Sequence, residues 1–144
     1  MRVSQMQIDL LHRGGFSLVM MKEEFLRTFT RRGVADLYGL LTEDPNYMEG
    51  ALVADKVVGK GAAALMVLGK VMEVYADIIS EPALQMLQSN GIPVHYQDLV
   101  SSIENRERSG PCPVESLCLG AKNAEEALPL IADFLKKKDA RKDK

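Results

Sequence analysis

The chain has 144 residues, of which 47% are apolar and 26% charged, the balance of one soluble globular domain rather than of a disordered or fibrous chain. Its net charge of −2 is unevenly spread, because residues 136–144 hold six basic and two acidic side chains and thereby leave −6 on residues 1–135. An acidic body without tryptophan argues against a nucleic-acid-binding protein, which usually carries a basic excess on its folded part.

The sequence also shows no pattern typical of a membrane-spanning segment or a signal peptide. No apolar run approaches the roughly 20 residues that span a bilayer, and residues 1–14 carry charges where a signal peptide needs an apolar core. Two cysteines are too few for a disulfide scaffold and suggest a reducing compartment. We therefore expect a cytoplasmic protein without membrane contact, with one domain over residues 1–135 and a basic, disordered tail over residues 136–144.

The first half of the chain contains both helical and β-like patterns. It predicts a helix at residues 4–13 and a β-hairpin with strands at residues 17–22 and 25–30. A second helix at residues 34–41 and a loop at residues 44–46 follow. Only Glu23-Glu24 separates the two hairpin strands, although Asn-Gly is the more usual turn pair.

The second half alternates strands with helices. The predicted strands lie at residues 51–58, 71–79 and 93–96, and the helices between them at residues 60–69 and 80–89. Two further helices follow, at residues 113–119 and 123–135. A hairpin followed by this alternation predicts an α/β fold, a three-layer α/β/α sandwich on a mixed sheet that is parallel in its second half. Ligands of such sheets bind at the C-terminal ends of the strands, here residues 55–61, residues 80–82 and the loop around Cys112.

The segment Val74–Ile92 resembles the part of cytidine-deaminase-fold enzymes in which a strand leads into Glu-Pro-Cys-x-x-Cys. Those enzymes hold zinc with a His or Cys from one helix start and two Cys from the next, beside a proton-shuttling Glu. Glu81-Pro82 is present here, but Ala83 and Met86 stand at the cysteine positions, and residues 59–62 supply neither a ligand nor the glutamate. Because alanine cannot coordinate zinc and a thioether does so poorly, the resemblance implies neither bound zinc nor a zinc-dependent deaminase activity.

The whole chain is more similar to a small, uncharacterised prokaryotic family, a domain of unknown function with this fold but without the zinc-binding motifs. The matching segments are residues 55–66, 74–84 and 112–115. The resemblance implies a three-layer, cytidine-deaminase-like fold and carries no established activity.

Gly59 and Lys60 are candidate ligand-binding residues at the start of the second-half helix over residues 60–69. The Lys60 ammonium and the free backbone N–H groups of a first helical turn can together hold a phosphate or a carboxylate. The alternative is a solvated lysine beside glycines that only ease a tight turn.

Asp55, Ser80 and Glu81 lie at the same predicted edge of the sheet. Asp55 can serve a pocket as acceptor or base, or it can be the polar exit from a strand. Ser80 can bond to a ligand, although serine at a helix start is usually a cap. Glu81 either remains from an ancestral pocket or only favours the helix dipole.

Cys112 is the candidate catalytic residue, since it lies between two prolines ahead of a short helix, where a helix dipole raises the thiolate fraction. Glu115 is either its partner or a first-turn acid. A nucleophilic cysteine needs a base, and the sequence does not place His12 or His95 beside it. The alternative is a structural loop cysteine. No metal site and no cofactor are predicted.

Three functions remain open on these residues. The leading hypothesis is a zinc-free deaminase-fold domain that binds a small anionic, nucleotide-like ligand through Lys60 and helix N-termini. The second is a cysteine-dependent enzyme or redox protein that uses Cys112. The third is a non-catalytic homodimeric interaction module, and a homo-oligomer is expected in any case.

Overall fold

Five strands form the sheet of this protein, whose computed structural model describes residues 2–31, 34–104, 110 and 112–142. The strands are β1 (Leu18–Lys22), β2 (Phe25–Phe29), β3 (Leu52–Val58), β4 (Glu73–Ser80) and β5 (Val94–Val100). They lie in the order β2-β1-β3-β4-β5. β1 is antiparallel to both β2 and β3, whereas β3, β4 and β5 are parallel. The predicted mixed sheet, with a hairpin first and a parallel second half, is confirmed.

Seven helices connect these strands or cover the sheet in the described part of the chain. They are α1 (Gln5–Arg13), α2 (Ala35–Glu43), α3 (Pro45–Met48), α4 (Lys60–Gly69), α5 (Glu81–Ser89), α6 (Pro113–Cys118) and α7 (Ala124–Lys142). On one face of the sheet, α1 packs Ile8 and Leu11 against Val19, Ala54 and Tyr75. The other helices contribute to the core on the opposite face. Helices therefore lie on both sides of the sheet, which confirms the predicted α/β fold.

Helix α4 is the centre of the larger core. Its alanines and Leu65 are buried, because the helix is apolar on every side and packs against several other elements. Gly61 permits one close approach: a Cβ there would lie 2.5 Å from Cγ1 of Val114 on α6. The small residues of α4 thus bring α6 close to the C-terminal end of β3.

The β1–β2 hairpin turns through Glu23-Glu24, as predicted, with Lys22 opposite Phe25. Glu23 adopts φ 56°, in the left-handed backbone region that residues other than Gly, Asn and Asp rarely adopt. Glutamate is an unfavourable residue for this conformation, and the turn lacks the Asn-Gly pair that is usual there.

Two boundaries and one additional helix differ from the sequence prediction. β5 continues to Val100 rather than ending near residue 96, and the expected loop contains α3, which begins at a proline suited to a first helical turn. α7 extends to Lys142, so most of the predicted disordered tail is helical. Lysine, alanine and arginine favour helix, and basic residues favour a helix C-terminus. Across the described ranges, no helix is both long and apolar enough to cross a membrane.

Candidate functional site

The carboxylate of Glu115 is held by three elements other than its own helix α6. Oε2 accepts hydrogen bonds from the Lys60 backbone N–H at 2.7 Å and from the Ser80 hydroxyl at 2.6 Å. Oε1 accepts the Ile103 backbone N–H at 2.7 Å. Glu115 is only 2% exposed, and Ser80 is fully buried. We call the three donors, from Lys60, Ser80 and Ile103, the Glu115 cradle.

The cradle forms where two parallel strands end side by side. Gly59 caps α4 immediately after β3, and Ser80, the last residue of β4, caps α5, where its Oγ also accepts the Ala83 N–H at 3.2 Å. The position of Gly59 requires the absence of a side chain, since a Cβ would lie 2.9 Å from Oε2 of Glu115. The N-termini of α4 and α5 both favour a negative charge at this point.

Lys60 makes contacts within the chain that the sequence did not predict. The backbone N–H that was expected to hold a ligand donates to Glu115, so the start of α4 is already occupied by an anion of the same chain. The ammonium is not simply solvated, because Nζ donates to the carbonyl oxygens of Leu119 at 3.0 Å and Ala121 at 2.8 Å. Lys60 therefore joins α4 to the connection that follows α6.

Asp55 and Glu81 lie outside the cradle. Asp55 is buried, and its Oδ1 accepts the Val57 N–H at 3.4 Å, within the same strand. Burial raises the pKa of Asp55, backbone N–H groups lower it and the nearby Asp77 raises it, so that together they bring it to about 7. Asp55 is thus a buried acidic residue and not a solvent-exposed exit from the strand. Glu81 is exposed in the first turn of α5, where it favours the helix dipole.

Cys112 is the N-cap residue of α6, half-buried, with a free thiol. The two histidines of the chain pair elsewhere: Nε2 of His12 lies 2.8 Å from Asp77, and Nε2 of His95 lies 3.7 Å from Glu73. The structure therefore does not bring a histidine base to Cys112. Glu115, three residues further on, is used by the cradle rather than as a partner of the thiol.

Ala83 and Met86, which the sequence resemblance aligned with the zinc ligands of cytidine-deaminase-fold enzymes, are core residues. Ala83 is fully buried, and Met86 is 6% exposed within the same apolar cluster. Over the residues that the structure describes, no group of three or more His, Cys, Asp or Glu side chains is placed to hold a metal ion.

An open groove of about 300 Å³ lies beside the cradle, lined by Lys60, Pro82, Gln85, Met86, Ser89 and Lys122. Lys122 directly follows Ala121, whose carbonyl oxygen accepts a hydrogen bond from Lys60. The backbone N–H of Lys122 donates to the Glu126 carboxylate at 2.6 Å. Two lysines far apart in sequence thus line one groove, which we call the Lys60–Lys122 groove. Sequence reasoning missed Lys122, and the only local signal was the Asn123–Glu126 capping pattern that fixes the adjacent backbone.

Comparisons with known proteins identify a family but no activity. The family model "TM1506: Domain of unknown function (DUF1893)" matches residues 6–135. The crystal structure of a DUF1893 family protein (TM1506) from Thermotoga maritima aligns with a TM-score of 0.82 and 24% identity, over 92% of both chains. Acinetobacter baumannii RibD aligns with a TM-score of 0.42 and 19% identity, over 65% of this chain and 33% of its own. The search of curated proteins found no match. The predicted similarity to an uncharacterised family is confirmed, and the Thermotoga protein shares the fold.

Proposed function

The chain belongs to the TM1506 family of unknown function (DUF1893), and we propose that it binds a small anionic ligand in the Lys60–Lys122 groove. The observation that carries this proposal is the pair of lysines on one groove of about 300 Å³. That volume is at the lower end of the range for small-molecule sites. Two positively charged residues that line the same groove raise the local positive potential, which favours the binding of an anion there.

The groove is supported by rigid elements. The Lys60 ammonium donates hydrogen bonds to the carbonyl oxygens of Leu119 and Ala121. One of its three N–H groups therefore remains for a ligand. The same contacts hold the backbone on which Lys122 is carried, and the Glu126 carboxylate holds the Lys122 N–H. Fixed backbone on both sides lowers the entropy cost of binding.

The remaining lining suits an organic anion. Gln85 and Ser89 offer hydrogen-bonding groups along α5, while Pro82 and Met86 offer apolar surface. A phosphorylated or nucleotide-like ligand would place its anionic group at the lysines and the rest of the molecule along α5. The cytidine-deaminase-like assignment is part of this proposal, since that fold would put a ligand near the starts of α4 and α5.

The test is calorimetric titration of the protein with inorganic phosphate, pyrophosphate and adenosine monophosphate at constant ionic strength. We expect at least one of them to bind, and Lys122→Ala to weaken that binding by roughly tenfold or more, since a charge-assisted contact contributes about 1.5–3 kcal/mol. Lys70→Asn is the matched control, because it also removes one positive charge, from an exposed position at the opposite end of α4. Asparagine tolerates the left-handed backbone that Lys70 adopts at φ 61°.

Equal losses in the two variants would mean that net charge alone attracts the anion and would contradict the proposed groove. Absence of binding by all three anions to the unaltered protein would also reject the proposal. That result would instead favour the non-catalytic homodimeric interaction module.

A further inference from the structure

The Glu115 cradle has the properties of a ligand site, although its occupant belongs to the same chain. Its three donors come from α4, α5 and the segment after β5, and all three point at one carboxylate over 2.6–2.7 Å. Ser80 is fully buried and its hydroxyl bonds to the carboxylate rather than to water. Donors fixed in advance around one charged group are what a binding site for that group requires.

We propose that the cradle is a carboxylate-binding site and that Glu115 is its intramolecular ligand, which a free carboxylate can replace. The donors at the starts of α4 and α5 then bind the Glu115 carboxylate as they would bind a ligand, and this contact holds α6 against both helix starts. The site shares Lys60 with the Lys60–Lys122 groove but uses its backbone N–H rather than its side chain, so the proposal does not depend on the function proposed for the groove.

The geometry selects a planar carboxylate over a larger anion. The donors divide between two oxygens, with two bonds to Oε2 and one to Oε1. The space around the group is small: a Cβ on Gly59 would lie 2.9 Å from Oε2 and 3.4 Å from Cγ1 of Ile103. A tetrahedral phosphate is larger and has more oxygens than the cradle has donors.

Removing Glu115 leaves a gap of known shape. Glu115→Ala deletes one methylene and the carboxylate, which together are the heavy atoms of acetate. The variant also leaves the donors of Lys60, Ser80 and Ile103 buried without a partner, which is strongly unfavourable. Acetate can fill the gap and bond to all three, and a ligand that binds only the folded state raises stability with its concentration.

The experiment compares Glu115→Ala in sodium acetate, sodium chloride, sodium phosphate and neutral acetamide, at matched ionic strength for the salts. One readout is the melting temperature. The other is the alkylation rate of Cys118, which is fully buried on α6, in a Cys112→Ser background so that only one thiol reacts. We expect acetate alone to raise the melting temperature and to slow alkylation severalfold.

Glu126→Ala is the matched control. Its carboxylate also accepts a backbone N–H at 2.6 Å, but at an exposed position, so its removal leaves no enclosed site. Acetate is expected to leave this variant unchanged. If Glu115→Ala does not fold in chloride, the refolding yield from urea in each solute replaces the melting temperature as the readout.

Selective recovery in acetate would establish the site. Equal effects of acetate and phosphate, equal effects in the two variants, or a folded Glu115→Ala protein that ignores acetate would each overturn the proposal.

Discussion

The Ser80 hydroxyl donates a 2.6 Å hydrogen bond to Oε2 of Glu115, a residue 35 positions further along the chain. The bond connects the start of α5 to α6, and both residues are almost completely shielded from water. A hydrogen bond to a carboxylate is stronger than one between neutral groups, and in a buried place the loss of one partner leaves the other unsatisfied. This contact therefore stabilises the described fold more than an ordinary helix cap does.

Ser80→Ala is expected to lower the free energy of unfolding by roughly 2–4 kcal/mol, the sum of a lost cap and a lost hydrogen bond to Oε2 of Glu115, which then keeps only the Lys60 N–H. Ser4→Ala is the control, because Ser4 caps α1 by accepting the Gln7 N–H at 3.2 Å. Its loss should cost about 1 kcal/mol. Urea unfolding of both variants measures the difference, and equal losses would show that the Ser80–Glu115 bond adds nothing to capping.

The sequence predicts local features of this site and misses contacts between distant segments. The caps at Gly59 and Ser80 could be identified because a helix start depends on its immediate neighbours. The partners of Lys60 could not be, since its N–H and ammonium bond to residues 55 to 61 positions away. The Asn123–Glu126 cap beside Lys122 indicates a helix start, but it does not indicate that the lysine lines a groove.

The fold was more predictable than its boundaries. Apolar periodicity identified the hairpin and the alternating strands and helices, because burial of one face imposes that pattern. The end of α7 was missed because neither glycine nor proline follows Leu135, and the Lys-rich segment favours helix as much as solvent.

Asp55 is expected to make stability depend on pH. Burial raises its pKa in the folded protein from 3.8 to about 7, so the folded state binds the proton more tightly than the unfolded chain does. Its contribution is therefore full below about pH 4 and is lost as pH rises to about 7, by on the order of 4 kcal/mol at about 1.4 kcal/mol per pKa unit. Asp55→Asn should flatten this decline in urea unfolding between those pH values. Asp98→Asn, at an exposed position on β5, should leave the slope unchanged, and an unchanged slope in both would contradict the assignment.

Gly61→Ala should destabilise the protein by roughly 1–3 kcal/mol, since the new Cβ would lie 2.5 Å from Cγ1 of the branched Val114 side chain. Gly39→Ala on α2 is the matched control, because its Cβ would meet no atom within 4 Å. Alanine favours helix over glycine, so this control should stabilise by up to about 1 kcal/mol. Thermal melting distinguishes the two, and opposite signs are the expected result.

Lys60→Met should loosen the connection between α6 and α7. Methionine keeps much of the aliphatic stem but cannot donate to the carbonyls of Leu119 and Ala121, and the loss should be roughly 1–3 kcal/mol. Alkylation of the buried Cys118 should become faster as α6 is released. Lys136→Met, at an exposed position on α7, should change neither quantity, and a normal Cys118 rate in Lys60→Met would show that the ammonium does not anchor this connection.

The Glu115 cradle also bears on how long the folded molecule lasts. Its three bonds connect residues separated by 55, 35 and 12 positions, and contacts of long separation form late in folding because loop closure must precede them. Interactions absent from the transition state slow unfolding without hastening folding. Stopped-flow measurements on Glu115→Gln should accordingly show an increased unfolding rate and an almost unchanged refolding rate. We therefore expect a single buried carboxylate to affect the lifetime of the native state more than the speed with which that state is reached.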